Sequence, residues 1–160
     1  MGGLALDGGL RMLFRGHLPH YHWNSIESGA TGAGIPDSEY CAPGGAIGWI
    51  EYKKSSAWKL DYNLASTQIA WHNRRARAGG RSFIAVRRRH GGGPRKGDAV
   101  DELWLFPGTA GALIRQHGLR PEWKDYQALM QLEKLLLGYW ANGPAKWDWA
   151  VVARCLEGGA

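Results

Sequence analysis

The stretch IPDSEYCAPGGAIGWIEYKK, residues 35–54, determines the fold that the rest of the chain completes. Residues 38–41 and 46–54 predict strands, and the Pro-Gly-Gly sequence between them predicts a tight turn. The two strands are therefore expected to pair as an antiparallel hairpin. Because alternate side chains of a strand share a face, Glu51 and Lys53 should point the same way.

Strands and helices alternate on either side of this hairpin. Further strands are predicted over residues 20–26, 81–89 and 102–106. Helices are predicted over residues 4–14, 66–78, 110–117, 121–138 and 146–156. This order indicates an α/β fold, a mixed sheet of about four strands flanked by helices. We divide the chain into a core over residues 1–108 and a helical C-terminal extension over residues 109–160 packed on that core.

The longest predicted helix, residues 121–138, carries an apolar stripe at helical spacing that begins at Trp123 and runs on to Trp140. Such a stripe is more often part of a core than a partner surface. A dimer interface is the alternative interpretation.

Composition excludes several classes of protein. No apolar run is long enough to span a membrane, and the N-terminus lacks the pattern of a signal peptide. Cys41 and Cys155 are too few for a disulfide scaffold, so two reduced thiols in a cytoplasmic protein are expected. The glycine-rich residues 28–34 lack the Lys-Ser/Thr of a phosphate-binding loop, so we expect no nucleotide cofactor. Their glycines would instead let the backbone pass close to DNA or a metal ion.

The formal net charge of +6 comes from one block. Residues 71–96 contain nine Lys and Arg residues and no Asp or Glu, whereas the rest of the chain has 11 basic and 14 acidic residues. A block of this kind indicates a polyanionic partner, most often nucleic acid. The candidate phosphate contacts are Arg74, Arg75, Arg77, Arg87, Arg88 and Arg89.

Two carboxylates form the candidate metal site. Asp37 begins the first strand of the hairpin, and Glu51 lies fourteen residues later on the second. Carboxylates that meet across a hairpin repel each other unless a cation lies between them, and oxygen ligands suit Mg²⁺ or Mn²⁺. The backbone carbonyl of Tyr52 would add a third oxygen, and Lys53 would hold a water and balance phosphate charge. Gln68 lies at the N-terminus of a predicted helix capped by Ser66, where a phosphate is favoured.

These residues resemble the PD-(D/E)XK, or restriction-endonuclease-like, superfamily. The matching features are the Gly-Ile-Pro-Asp sequence ending at Asp37, the Glu-Tyr-Lys sequence ending at Lys53, Gln68 with Trp71, and the strand centred on residues 83–86. Ser28-Gly29 and the Ala-Gly-Gly turn after the helix match as well. The closest resemblance is to VRR-NUC and Holliday-junction-resolvase-like members, including small phage endonucleases.

The resemblance implies a nuclease core over residues 1–108 in which the acids bind the metal ion and Lys53 orients the water. A Gln at the start of the following helix often lines such a site, which assigns Gln68 to it. Many relatives also carry a metal-binding Glu on the first helix. In that region Asp7 is a poor candidate and Glu27 is the nearer substitute.

These observations predict a Mg²⁺-dependent DNA endonuclease that hydrolyses phosphodiester bonds in branched or structured DNA. Because one site cuts one strand, symmetric cutting of a junction would need a homodimer. Two alternatives remain, a non-catalytic nucleic-acid-binding accessory protein of recombination or packaging, and an RNA-directed nuclease. If the chain is encoded by a phage, the compartment is the host cytoplasm. Trp58 would either stack on an opened base or pack in the core, and the core is the more common outcome.

Overall fold

The computed structural model describes residues 6–27, 32–91 and 99–159. Most of the glycine-rich segment, residues 28–31, and the basic residues Arg95 and Lys96 lie outside the described residues. The matches at Ser28 and Gly29 also fall there.

Six strands in the described part of the chain form one sheet in the order β1-β2-β3-β4-β5-β6. Their neighbours pair antiparallel, except that β3 and β4 are parallel and are joined by a crossover through helix α2. The strands are β1 (His22–Ser25), β2 (Ser38–Cys41), β3 (Ile47–Ser55), β4 (Arg81–His90), β5 (Val100–Pro107) and β6 (Gly138–Trp140).

Five α-helices accompany this sheet in the described residues, and the α/β class predicted from the sequence is confirmed. None of them is long and apolar enough to cross a membrane. The helices are α1 (Leu10–His17), α2 (Ser66–Arg77), α3 (Gly111–His117), α4 (Tyr126–Leu135) and α5 (Trp149–Leu156), with 3₁₀ turns at Gly108–Ala110 and Trp123–Asp125.

Each face of the sheet has its own apolar core. On one face Phe14 of α1 and Leu156 of α5 pack against the alternate strand residues Tyr40, Ile50 and Tyr52. The opposite face is covered by the segments that follow β3 and β5, and its buried side chains include Leu64, Ile84, Val86, Phe106 and Leu132. Because side chains alternate along β3, Glu51 and Lys53 lie on this second face.

The sheet has more strands than the four or so that were predicted, and the helix predicted over residues 121–138 is shorter than expected. Its α-helical part ends at Leu135, and Gly138, the last residue assigned to that helix, begins β6. The N–H of Leu137 donates to the carbonyl of Leu105, 2.9 Å away, and Gly138 pairs with Leu105. The free edge of β5 therefore pairs with the end of a segment for which helical periodicity alone predicted a helix.

The apolar stripe of that helix is buried at one end and exposed at the other. Leu132 is 2% exposed and belongs to the core of the second face. Trp123, Tyr126 and Met130 are exposed, Trp123 by 80%. The prediction that the whole stripe is core is therefore wrong for its first turns.

His72 links α2 to the sheet. Its imidazole is fully buried, and Nδ1 lies 2.8 Å from the hydroxyl of Ser82. Gly108 leaves room for this pair, because a Cβ there would overlap both side chains. Burial lowers the pKa of His72 to about 4, since the charged imidazolium would lose its hydration.

The depressed pKa of His72 makes stability depend on pH in a defined direction. The unfolded chain takes up a proton at this residue near pH 6.5 and the folded chain near pH 4, so stability is lost as the pH falls between these values. The expected loss is roughly 3 kcal/mol for complete titration. Urea unfolding at pH 7 and pH 4.5 should show a smaller loss for His72→Asn than for the parent. Equal losses in the two proteins would contradict the assignment.

Candidate active site

The start of β2 and the middle of β3 bring two carboxylates together. Ser38 pairs with Ile50, and one further step of this antiparallel register puts Asp37 opposite Glu51 on the same face. The Asp37 carboxylate is fixed in place because its Oδ2 accepts a hydrogen bond of 2.9 Å from the N–H of Tyr52. Strand pairing thus produces the convergence that the sequence predicted.

Glu51 lies at the centre of the site. Its side chain is 2% exposed, and Oε1 accepts a hydrogen bond of 2.8 Å from the Gln68 amide. The Lys53 ammonium lies 3.4 Å from the same oxygen. Oε2 is buried and has no hydrogen-bond partner in the described part of the chain. A buried carboxylate oxygen without a donor is costly, so this oxygen could accept a metal ion or a hydrogen-bond donor.

Gln68 holds Glu51 and at the same time completes the first turn of α2. Its Oε1 accepts the backbone N–H of Ala65 at 2.8 Å, in the manner of a capping box. The N-cap is thus Ala65, one residue earlier than the predicted Ser66. Because both ends of the Gln68 amide are used, its orientation toward Glu51 is set by the helix itself.

Gly34 sets the approach of the segment that carries Asp37. It has φ +85°, and a Cβ there would overlap the carbonyl group of Thr67 in α2. This glycine was expected to bring the backbone close to DNA or a metal ion. The structure shows instead that it lets residues 32–37 pack against the first turn of α2, next to Gln68.

Asp37, Glu51, Lys53 and Gln68 line one pocket of about 740 Å³. The structure thereby brings together the four side chains assigned to catalysis from the sequence, but not Glu27, the acid offered as a further metal ligand. The other residues that line this pocket include Asp7, Arg11 and Tyr62. Sequence reasoning dismissed Asp7 and missed the other two, which come from α1 and from the loop between β3 and α2.

Arg11 is the most informative of the missed residues. Its guanidinium lies 3.9 Å from Asp37 Oδ1 and 3.5 Å from the Asp37 carbonyl oxygen. The helix that carries it was predicted, but sequence gives no signal that α1 lies across the end of β2. Arg11 therefore supplies positive charge beside Asp37 in addition to that of Lys53.

The pKa values of both carboxyl groups are raised. Burial and the nearby Asp37 raise the pKa of Glu51 to about 8, against the opposing effect of Lys53. Burial also raises the pKa of Asp37, although the Tyr52 N–H and the cations Arg11 and Lys53 oppose the shift. Without a bound cation, the site therefore favours a proton shared between two crowded carboxyls.

These donors fit a hard divalent cation. Two carboxylates and one backbone carbonyl are oxygen ligands of the kind that Mg²⁺ takes while it keeps several waters. In a strand the N–H and carbonyl of one residue point to the same edge, so the Tyr52 carbonyl lies on the Asp37 side of β3. Within residues 6–27, 32–91 and 99–159, no cluster of three or more His, Cys, Asp or Glu side chains could hold a metal ion.

Two other acids of this region, Glu39 and Glu27, do not line the pocket. Glu39 accepts a hydrogen bond of 3.3 Å from Asn24 and does not line the pocket. The described lining does not include Glu27 either, whereas it does include Asp7. Of the acids near the N-terminus, Asp7 is therefore the better placed, and its Oδ1 accepts the N–H of Gly9 at 2.8 Å.

The predicted phosphate-binding arginines fall into two groups. Arg87 and Arg88 are buried, and they form two-point ion pairs with Asp101 and Glu102. Their guanidinium groups are occupied within the fold, so we no longer assign them to phosphate contact.

The other arginines stay closer to solvent. Arg74, Arg77 and Arg89 are exposed, and Arg75 is half-buried with its guanidinium over the Trp71 ring. Along the axis of α2, Arg74 and Arg77 lie roughly 9 and 14 Å from Gln68. Arg74, Arg77 and Arg89 are therefore open to a polyanion, although strand alternation puts Arg89 on the face of the sheet opposite Glu51 and Lys53.

Comparisons with known proteins add no relative. No protein-family model matches the chain, and neither the curated proteins nor the solved structures give a significant match.

The raised pKa of Glu51 gives a pH test of the metal-free site. Its carboxyl binds a proton with a pKa of about 8 in the folded chain and near 4.5 in the unfolded chain, so this stabilisation is present at low pH and is lost as the pH rises toward 8. In EDTA, Glu51→Gln should unfold at a higher temperature than the parent at pH 8.5. At pH 5 the two proteins should unfold at similar temperatures. A variant less stable than the parent at both pH values would contradict the assignment.

Proposed function

We propose that the protein is a Mg²⁺-dependent DNA endonuclease that hydrolyses phosphodiester bonds in branched or structured DNA. The observation that carries the proposal is the meeting of Asp37, Glu51 and Lys53 in one pocket, with a buried Glu51 oxygen that has no hydrogen-bond partner among the described residues. Mn²⁺ would serve in place of Mg²⁺.

Each residue has a role that follows from its position. Asp37, Glu51 and the Tyr52 carbonyl would hold the ion, which supplies a Lewis acid and lowers the pKa of a bound water. Lys53 positions the attacking water and offsets negative charge that develops on the phosphate. Gln68 keeps Glu51 oriented, and Arg11 keeps Asp37 from turning away.

The substrate assignment draws on charge and on resemblance. Phosphate contacts from Arg74, Arg77 and Arg89 would position a nucleic acid without reading its sequence. The parallel β3–β4 pair with α2 as its crossover is consistent with the resemblance to PD-(D/E)XK nucleases, and the preference for junctions is proposed on that resemblance. A non-catalytic binding protein and an RNA-directed nuclease are the outcomes that the following experiment separates from this proposal.

Cleavage of a panel of four-way junctions, flaps and linear duplexes tests the reaction. We expect cutting with Mg²⁺ and none with EDTA. Asp37→Asn and Lys53→Met should each lower the rate by about 100-fold or more, because the first weakens the hold on the ion and the second removes the group that positions the water. Binding of the same DNA, measured in EDTA, should be largely unchanged.

The controls are neighbouring residues of the same type. Glu39→Gln lies on the adjacent strand outside the pocket. Lys54→Met lies on the opposite face of β3, where its ammonium is 3.8 Å from Asp61. Both should cut at the parental rate. If Lys53→Met cuts as fast as Lys54→Met, the site is wrong. If RNA is cut and DNA is not, the assignment of DNA as the substrate is wrong. Binding of DNA without cleavage would favour the non-catalytic alternative.

Symmetric cutting of a junction also predicts a homodimer. The exposed apolar side chains of Trp123, Tyr126 and Met130 offer a surface for such a contact. Light scattering at the protein concentration of the cleavage assay should give about twice the 17.6 kDa chain mass. A mass equal to one chain, both alone and with a junction present, would remove the dimer from the proposal.

A further inference from the structure

A second pocket, here called the aromatic pocket, lies on the same face of the sheet as the candidate active site. It has a volume of about 400 Å³ and is lined by Trp58, Trp104, Phe106 and Tyr139 together with leucine side chains of the α3–α4 region. A volume of this size falls in the range of small-ligand sites. None of the residues assigned to the chemistry lines this pocket.

Aromatic rings give the pocket flat walls. Trp104 and Phe106 lie two residues apart on β5, with their rings nearly parallel at an interplanar angle of 10°. Trp58 and Tyr139 meet Trp104 edge to face, with centroids 6.1 and 4.7 Å away. This arrangement leaves a slot bounded by π surfaces, which suits a planar aromatic ligand.

A hydrogen-bonded carboxylate fixes these rings. Glu102 accepts hydrogen bonds from the indole N–H of Trp104 at 2.9 Å and from the hydroxyl of Tyr139 at 2.7 Å, in addition to its pair with Arg88. Burial acts to raise the pKa of Glu102, but the hydrogen bonds from Arg88, Trp104 and Tyr139 outweigh it and lower the pKa. The wall is therefore held by a neutralised ion pair and carries little net charge.

The loop between β3 and α2 is also held in place. The carbonyl of Trp58 accepts the N–H of Leu119 at 2.8 Å, and Asn63 donates to the carbonyl of Arg115 at 3.1 Å. The guanidinium carbon of Arg88 lies 3.9 Å from the centroid of the Trp58 ring, yet Trp58 remains 38% exposed. A ring fixed before the ligand arrives loses little entropy on binding.

The two pockets are close together. Lys53 pairs with Val86, Val86 with Trp104, and Trp104 with Tyr139, so these four residues form one cross-strand row on a single face. Two strand spacings, roughly 10 Å, separate the backbone of Lys53 from that of Trp104. The loop after β3 contributes to both pockets, Tyr62 to the candidate active site and Trp58 to the aromatic pocket.

We propose that the aromatic pocket binds one unpaired nucleobase of the nucleic-acid substrate, from a nucleotide near the phosphate that is cut. This inference rests on the proposed function and specifies its substrate as a strand with an unstacked base. Nucleobases stack on aromatic side chains whatever their sequence, and enzymes that act on distorted nucleic acid hold such bases in fitted pockets. Arg120 lines the pocket with its guanidinium 5.7 Å from the Trp58 ring, where it meets the phosphate attached to the base.

Binding in EDTA tests the pocket separately from cleavage. The ligand is a deoxyadenosine hexanucleotide, and the comparison is an abasic chain of the same length. In nitrogen-15 NMR spectra, the hexanucleotide should shift the indole signals of Trp58 and Trp104 and leave that of Trp123 in place. The abasic chain should bind about tenfold more weakly, because it cannot stack.

Variants at exposed apolar side chains separate the pocket from the rest of the surface. Trp58→Ala should weaken hexanucleotide binding about tenfold and abolish the preference over the abasic chain, whereas Trp58→Phe should keep most of it. Ile47→Ala, at a 54%-exposed residue outside the aromatic pocket, should bind as the parent does. Thermal unfolding checks that each variant is folded. The NMR experiment uses only the parent protein, so it tests the pocket even if a variant does not fold.

The outcomes of the two sets of experiments are distinguishable. Equal affinity for the hexanucleotide and the abasic chain, or unshifted Trp58 and Trp104 signals, overturns the base pocket even if Mg²⁺-dependent cleavage is observed. A base-dependent shift that Trp58→Ala removes supports the pocket even if no substrate is cut, in which case the endonuclease proposal alone fails.

Discussion

The hydrogen bond from the Tyr52 N–H to the Asp37 carboxylate is the contact on which the site depends. It is made just before β2 begins, where β3 extends past the first residue of its partner strand. A backbone N–H that strand pairing does not use there donates to a side chain instead. This contact places Asp37 beside the buried Glu51, where burial and the Asp37 charge raise the pKa of Glu51 and so the cost of ionising it. A cation held between the two carboxyls would lower that cost, which supports the metal-binding role proposed for this site.

The arginines of the basic block fall into a buried, paired group and an exposed group. Arg87 and Arg88 are removed from solvent and paired with Asp101 and Glu102 on the neighbouring strand, where they hold β4 to β5. Such buried pairs contribute less to stability than their number suggests, because desolvation offsets the attraction, but losing one partner would leave an uncompensated charge. The exposed arginines of α2 and the end of β4 are then the part of the block open to a polyanion.

One face of the sheet carries both pockets, and β3 with the loop that follows it connects them. Glu51 and Lys53 lie within β3, and the same loop brings Tyr62 and Trp58 to different sites. Val86 separates the two sites within a row of paired residues, so the distance between them is set by strand spacing rather than by flexible segments. A substrate that occupies both pockets would need a phosphate and an unstacked base at this separation.

The sequence alone determined the parts of this protein that depend on local periodicity. Residues near one another in the chain specify the strands around Asp37 and Glu51, the first turn of α2 with Gln68, and the alternation that puts Glu51 and Lys53 on one face. The structure brings these four side chains close together. Tertiary structure decided the rest. Contacts between segments far apart in sequence pair residues 138–140 with the edge of β5 and bury Arg87 and Arg88. Such contacts also place Arg11 beside Asp37 and assemble the aromatic pocket. No local pattern encodes such contacts, because their free energy arises only when the distant partner is present.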